Sequence, residues 1–444
     1  MIPCIAIFHI GKKSKRLLLF NQYYQVVKEE HACPAETVDE DGDKGEDLAA
    51  LTHWLRTAWA ALEADQGYDV LAVNFVTYGA SMVHLNEDFA PVTPLYSYLK
   101  AYPQELEKQF YDTYGPKLQL AEQTASPPLG MLNAGLQLYW LKHLKPATFQ
   151  RIRYSLHLPQ YVAYVFTGQL TTEYTSLGCH TMLWDFQALD YHAWVYAEQL
   201  DKLFPALRQH YRPLQTNFRC KPIPAGLGLH DSSSALIPYL KQYRTGFLLL
   251  SAATWGITLN PFAKEPLSQD DLQQDCLQYL TFRGDKVKAS RQFIQNAHEV
   301  QVNRLAAYYN KPLTYYQTVR YDAHLTEEAV LYAGYADART PIPVKEKRAL
   351  STRFALDLAL LSTYEEAYHR LLELIVQQQL NSLFVAAEGD LSGFRSLIVD
   401  GDFSRNELFM AMLRRKLPNL KVKSGRSAQD SALGAALALN IWPY

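Results

Sequence analysis

The chain has 444 residues, of which 48% are apolar, and a formal charge of −2. That length exceeds one ordinary domain, supplies apolar residues for two cores, and leaves no stretch polar enough to stay disordered. The near-neutral balance argues against nucleic acid as the main partner, because phosphate backbones demand concentrated Lys and Arg.

Residues 2–10 are apolar, but the basic cluster Lys12, Lys13, Lys15 and Arg16 follows them, the reverse of a secretion signal. Residues 2–9 and 16–20 are apolar runs separated by Gly11 and polar residues, and 23–29 continue the pattern. The chain is therefore expected to open as a hairpin or three-strand meander. The acidic stretch 39–47 reads as a solvated loop. Residues 48–62 have helical spacing, while 70–76 and 82–85 read as strands. From 91 to about 214 the chain is rich in Tyr and Pro with helical patches, the composition of an insertion decorating a central sheet.

The opening theme then returns. Residues 246–251 and 256–259 form a second strand pair, followed by helical segments near 292–309 and 351–379. A strand at 396–399, a helix at 406–415, a short strand at 421–423 and an Ala/Leu helix at 431–439 close the chain. Two halves, each opening strand–turn–strand, predict a duplicated α/β domain with a cleft between the copies. The apolar run 247–250 is too short to span a bilayer, which excludes a membrane partner. Five scattered cysteines (Cys4, Cys33, Cys179, Cys220, Cys276) show neither metal spacing nor a disulfide framework, and point to the cytoplasm.

Chemistry concentrates in residues 228–235, Gly-Leu-His-Asp-Ser-Ser-Ser-Ala, just before an apolar run. Asp231 stands where a helix begins. It is either a plain helix cap or a carboxylate kept charged by the helix end and able to accept a proton. Further segments in order are Phe8-His9-Ile10-Gly11 with the basic turn, Thr77-Tyr78-Gly79-Ala80, the helix-like run 158–168 ended by Gly168, and Cys179-His180-Thr181. Then come Ser251-Ala252-Ala253-Thr254-Trp255, the segment Gly401-Asp402-Phe403-Ser404-Arg405-Asn406, and a small-residue helix at 431–436.

Taken in register, these segments resemble the FGGY family of carbohydrate kinases, nearest its rhamnulokinase- and L-fuculokinase-like members. The resemblance implies an α/β fold of two duplicated ribonuclease-H-like domains (the hexokinase/actin/heat-shock ATPase fold) with an interdomain cleft. It implies a sugar-binding domain at 1–243 and a nucleotide-binding domain at 244–444. The implied activity is ATP-dependent phosphorylation of a sugar hydroxyl, a deoxy-ketose such as L-fuculose or L-rhamnulose, with Mg²⁺ and with Asp231 as general base. Thr77, Tyr78, Gly79, His180 and His230 would line the sugar side. Tyr78 and its turn read equally as a β-turn with a core Tyr, whereas His180 reads first as a hydrogen-bonded core histidine and only second as a sugar contact. Gly11, Lys12, Lys13, Ser14, Thr254, Gly401, Asp402 and Asn406 would face nucleotide and phosphate. Many relatives associate, so the resemblance admits a homodimer.

The chain departs from the pattern at His9, which stands where an Asp is expected, at Lys12 and Lys13, at Ala253 for a glycine, and at Asp402 for a second glycine. Imidazole is a poor ligand for a hard cation. These departures surround phosphate and metal while Asp231 keeps its motif. Two readings follow: an active kinase, its lysines clamping phosphate, and a sugar-binding or regulatory relative without turnover.

Overall fold

The computed structural model describes residues 1–443 apart from 13, 34, 209–210, 218–221, 244–245, 253–255, 293, 327–355 and 426–429. The described chain forms two compact units, Met1–Gln242 with Gln278–Lys286 and Gln429–Tyr444, and Tyr243–Leu277 with Val287–Ala428.

In the first unit β1 (Ile2–Ile10), β2 (Lys15–Phe20) and β3 (Val26–Ala32) form the expected antiparallel meander. Helix α1 (Leu48–Ala64) starts on Asp47, whose side chain accepts from the amide of Ala50, and leads into β4 (Tyr68–Thr77), parallel to β1. After β5 (Met82–Leu85), β6 (Tyr154–His157) and α2 (Leu158–Thr167), the chain adds β7 (Leu214–Gln215), β8 (Pro224–Ala225) and β9 (Leu229–His230). Gly168 closes α2 at φ +66°, a left-handed cap that a side chain disfavours. The sheet order is β7-β8-β4-β1-β2-β3, with β9 also parallel to β4. Helix α3 (Asp231–Gln242) follows β9 directly.

The two faces of β1 obey strand periodicity. Cys4, Ala6, Phe8 and Ile10 join a core with α1 and α2, whereas Ile5 and Ile7 join one with Ile237 of α3 and the closing helix Asp430–Ala438. His9 has the parity of Ile5 and Ile7, and so lies on the α3 face.

The second unit repeats the plan. Strands β10 (Phe247–Ala252), β11 (Gly256–Asn260), β12 (Cys276–Leu280) and β13 (Lys286–Gln292), of which Gln278–Leu280 and Lys286 count with the first unit, are followed by helices α4 (Ile294–Tyr308) and α5 (Tyr364–Ala386). Strand β14 (Ser396–Asp400), α6 (Glu407–Lys416) and β15 (Lys421–Ser424) complete it. The sheet order is β12-β13-β11-β10-β14-β15, with β10, β14 and β15 parallel. In both sheets an antiparallel meander continues into parallel strands beyond its first member, which is the expected duplication expressed as topology. The α/β class and the ribonuclease-H-like pair of domains hold.

Two local expectations change. The hairpin β12–β13 was not expected, because Lys288 and Arg291 interrupt its apolar pattern; both are buried against Asp271 and Asp275. The acidic stretch is not simply solvated. The Lys100 ammonium lies 2.8, 2.9 and 2.6 Å from Asp39, Asp41 and Asp43, and Lys145 bridges Glu40 and Asp41. Of the helix expected over 351–379, residues 351–355 lie outside the described residues and 356–363 are not α-helical; α5 starts only at Tyr364, where the Thr363 side chain caps it, and runs on to Ala386. No described helix is long and apolar enough to cross a membrane.

Candidate active site

Strands β1, β4 and β9 run parallel in neighbouring positions and end together. Ile10 stands opposite Thr77, and Thr77 opposite His230. The carboxyl ends of parallel strands are where open α/β sheets present their ligand sites, because the chain leaves the sheet there and exposes side chains and backbone amides.

Asp231 opens α3 at this edge with its side chain about one-third exposed (35%). Its Oδ1 accepts from the Ser232 amide at 2.6 Å and the Ser232 hydroxyl at 3.2 Å, and lies 3.2 Å from Nε2 of His230. No hydrogen bond to a described residue engages Oδ2. One oxygen is thus anchored at a helix N-terminus, where negative charge is favoured, and the other is left without a described partner on a part-exposed side chain. Between the two readings of Asp231, this geometry combines a helix-end anchor with an accessible proton acceptor.

His230 is buried. Its amide donates to Thr175 Oγ1 at 2.9 Å, its Nδ1 has no partner, and its Nε2 sits 3.2 Å from Cys179 Sγ. Burial lowers its pKa, Asp231 opposing, so the ring is neutral at pH 7 with the proton best placed on Nε2 to reach Asp231. Gly79 makes room for this arrangement, since a Cβ there would fall 2.9 Å from the His230 ring and 3.1 Å from Cys179 Sγ. Thr77 is fully buried and turns its hydroxyl to the carbonyl of Tyr78. His180 adopts φ +40° and directs Nδ1 at the carbonyl of Leu132, and its ring stands 6.3 Å from that of Tyr279.

Tyr78 is buried, and its hydroxyl donates to Glu46 Oε2 at 2.6 Å. The other Glu46 oxygen holds Lys15 at 2.7 Å, and Lys15 donates to the carbonyl of Gly11 at 2.9 Å. Burial pulls the Lys15 ammonium below the usual lysine range, with Glu46 opposing, and burial with Glu46 pushes the Tyr78 phenol well above its own. The β1–β2 turn is closed by the Gly11 amide on Ser14 O at 2.9 Å. Lys12 lies over the rings of Tyr78 and Tyr98, 5.3 and 5.2 Å from their centroids, and the Tyr98 phenol is raised by burial and by the Asp231 charge. Lys13 lies outside the described residues.

Strand register sets His9 directly across from Arg16. The guanidinium Nη2 is 2.6 Å from His9 Nδ1. Arginine can only donate, so Nδ1 accepts and the imidazole proton is on Nε2. Burial first, and Arg16 next, lower the His9 pKa to about 4, so the ring is uncharged at neutral pH. Arg16 also reaches Glu29 at 3.4 Å.

These groups do not fit a hard divalent cation at the hairpin. Such an ion wants oxygen ligands, whereas here the imidazole lone pair is committed to a guanidinium and two lysines stand alongside. No group of three or more His, Cys, Asp or Glu is placed to hold a metal ion among the described residues.

In the second unit Gly401 takes φ +85° after β14, a conformation suited to glycine, and its amide bonds the Asp400 carboxylate at 2.7 Å. Asn406 caps α6 through Oδ1 on the Phe409 amide at 3.1 Å and donates through Nδ2 to Tyr368 at 2.7 Å. Beside them lies a cavity of about 540 Å³ lined by Tyr316, Phe403, His298, Arg320, Asp402 and Asn406 among others. That volume suits a small-molecule ligand. Thr254, with Ala253 and Trp255, lies outside the described residues.

The structure therefore gathers Asp231, His230, Gly79, Thr77, Tyr78, Gly11 and Lys12 at one strand edge, and Gly401, Asp402 and Asn406 at another. Sequence reasoning missed Lys15, Arg16, Glu46, Tyr98 and Cys179 as members of the first group. The His9–Arg16 pairing alone was legible, from hairpin register once the turn is placed.

Residues 4–211 match the N-terminal domain of the FGGY family of carbohydrate kinases. A rhamnulokinase of Halalkalibacterium halodurans is 24% identical over 266 residues, 56% of this chain and 54% of that protein, so the chain matches about half the length of this curated relative. Among solved structures, a carbohydrate kinase from Novosphingobium aromaticivorans is similar with a TM-score of 0.78 at 20% identity, covering 98% of this chain and 93% of that one. A glycerol kinase from Plasmodium falciparum with ADP gives 0.76 at 15% identity, covering 100% and 91%. A xylulose kinase from Rhodospirillum rubrum gives 0.76 at 15%, covering 98% and 89%. These likenesses show the fold.

Proposed function

We propose, on the premise that residues 4–211 form an FGGY-type N-terminal domain, that the chain is a carbohydrate kinase using Asp231 as general base. The observation that supports this best is Asp231 itself, part-exposed and fixed through Oδ1 at the start of α3, with Oδ2 unengaged by described residues, at the ends of three parallel strands. In the reaction a sugar hydroxyl attacks the γ-phosphorus of ATP. The new sugar O–P bond forms, the bridge to the β-phosphate breaks, ADP leaves, and the hydroxyl proton passes to Asp231. Positioning and charge neutralisation dominate such a transfer, with the carboxylate taking the proton late.

Thr77, Tyr78, Gly79, His180 and His230 build the sugar side in this reading, within a domain spanning 1–243, with the buried Thr77 acting as support. Tyr78 acts from behind, because its hydroxyl is held by Glu46. Gly11, Lys12, Lys13 and Ser14 take the transferring phosphate. Gly401, Asp402 and Asn406, with Thr254, take the nucleotide in the 244–444 domain, and the 540 Å³ cavity beside them receives the nucleoside. The substrate is a deoxy-ketose such as L-fuculose or L-rhamnulose, in keeping with the rhamnulokinase match.

The test is ATP consumption over a panel of keto- and deoxy-sugars. Turnover with one of them is expected, and Asp231→Asn should lower kcat by roughly 10²–10⁴ while sugar binding and melting temperature hold. Retained turnover in that variant would reject the assigned base. The His9–Arg16 pair favours a second reading, a sugar-binding relative without phosphoryl transfer. Sugar binding with no turnover across the panel would establish it.

A further inference from the structure

We propose that the β1–β2 hairpin engages polyphosphate through fixed cations, Arg16 and Lys12, in place of a divalent metal ion. This inference rests on the kinase reading above and names how its phosphate side works without the metal that the family resemblance implies.

The argument begins with register. His9 and Arg16 are directly paired across the hairpin, so the guanidinium is delivered to the imidazole by the backbone and not by a chance rotamer. The contact at 2.6 Å consumes the lone pair of Nδ1. His9 therefore serves as a neutral seat for a cation, and a metal ion would have to displace a permanent charge to reach it. Both side chains lie on the face of the sheet that carries α3, and the Asp231 charge acts on His9. The guanidinium is thus stationed on the face from which the proposed base projects.

Arg16 is not used up by its neighbours. Nη2 goes to His9 and Nη1 to Glu29 at 3.4 Å, while Nε is buried without a partner. A guanidinium carries five N–H donors in a planar fork matched to phosphate oxygens; with Nε buried, the second hydrogens of Nη1 and Nη2 remain. Lys12 stands on the rings of Tyr78 and Tyr98, which pack with the α1/α2 core, and Tyr98 in turn feels Asp231, so a second cation stands at the turn of the hairpin, within the field of the proposed base. Lys15 plays a different part: buried with Glu46 and bonded to Gly11 O, it pins the turn.

The charges of the described hairpin do not cancel. Lys12, Lys15 and Arg16 face the carboxylates of Glu29 and Glu46, and Lys12 is left over. On the hairpin itself a divalent cation meets a positive field and two carboxylates, Glu29 and Glu46, already paired with cations, whereas that field attracts a polyphosphate.

The experiment is calorimetric titration of the full-length protein with ATP, and separately with inorganic tripolyphosphate, in EDTA and in excess Mg²⁺. Affinity in EDTA should lie within about twofold of that in Mg²⁺. Arg16→Gln should weaken binding in EDTA by about tenfold, the scale of a charge-assisted hydrogen bond, and Lys12→Gln by several-fold. The double variant His9→Asp with Arg16→Gln should bind ATP only when Mg²⁺ is present. Binding by the wild type that requires Mg²⁺ would overturn the inference and leave the kinase reading standing. Absence of polyphosphate binding in both buffers would overturn it too, with sugar binding and turnover judging the kinase reading separately. If Arg16→Gln fails to fold by its melting curve, Lys12→Gln decides, since Lys12 reaches into the turn and holds no buried carboxylate. Unchanged affinity in that variant would count against fixed-cation binding.

Discussion

Lys15 is nearly as buried as the leucines beside it, with 4% of its side chain exposed, and Glu46 is buried to the same degree. A charged pair this dry balances desolvation against attraction, so its net value is small, but loss of one partner leaves an uncompensated charge. Glu46→Gln should therefore cost about 3–5 kcal/mol, while Tyr78→Phe, which removes only a hydroxyl donor to the same carboxylate, should cost about 1–2 kcal/mol. Urea denaturation of the two variants checks the order; equal losses would mean that Lys15 does not depend on Glu46. At this scale the sequence was only partly legible. The basic cluster is visible at once, but which lysine is sunk and which is free depends on Glu46 and Tyr78, whose partners lie far off in sequence. The same holds for His9. Its identity marks a departure, yet only strand pairing reveals the guanidinium on its ring.

Elements were legible wherever apolar spacing ran unbroken. The opening meander, α1, β4 and the closing helix stand where periodicity places them, and Gly168 ends its helix in the conformation that glycine allows. The β12–β13 hairpin was illegible because a buried Lys and Arg break the pattern that identifies a strand. The acidic loop was misjudged for a related reason, since its counter-ions, Lys100 and Lys145, come from later in the chain. Asp39, Asp41 and Asp43 converge on one ammonium, and Lys100→Ala leaves them facing each other. We expect a lower melting temperature that recovers in part as salt screens the repulsion; a loss insensitive to salt would point instead to packing of the Lys100 stem on Trp140. The closing helix carries a sharper test. A Cβ on Gly434 would fall 1.8 Å from the carbonyl oxygen of Ser234 in α3, and the next residue's carbonyl accepts from Asn74 of β4 at 2.8 Å. Gly434→Ala must push the two helices apart, at a cost of about 1–3 kcal/mol. Because α3 begins with Asp231, the kinase reading adds that the shift should also raise KM for the sugar. A variant as stable as the parent would show that the helices do not pack this closely.

Across the whole molecule, buried histidines set a common response to acid. Burial lowers His9, His157 and His298 to about 4 and His84 to about 3, against 6.5 for an exposed imidazole. The folded state thus binds fewer protons than the unfolded chain at any pH between those values. Their contribution to stability is complete above 6.5 and is lost as pH falls toward 4, at a limit of about 1.4 kcal/mol per pH unit for each ring. Glu173 works in the opposite direction, since burial raises its pKa and favours folding in acid, but it is one group against these four and against His192, His230 and His369, which burial also lowers. His9, His84 and His157 belong to the first unit and His298 to the second. Calorimetry between about pH 7.5 and pH 4.5 should therefore show melting that drops as the medium acidifies, and the first unit should lose ground faster. His84→Gln keeps a partner for Ser155, 2.9 Å from Nδ1, but cannot titrate, and should flatten the slope for that unit. If its transition stays as steep as the parent's, His84 is not among the groups that take up the proton. Should both units respond equally, the acid sensitivity must arise outside the buried rings, and the concentration of neutral histidines around the candidate site would have no thermodynamic consequence.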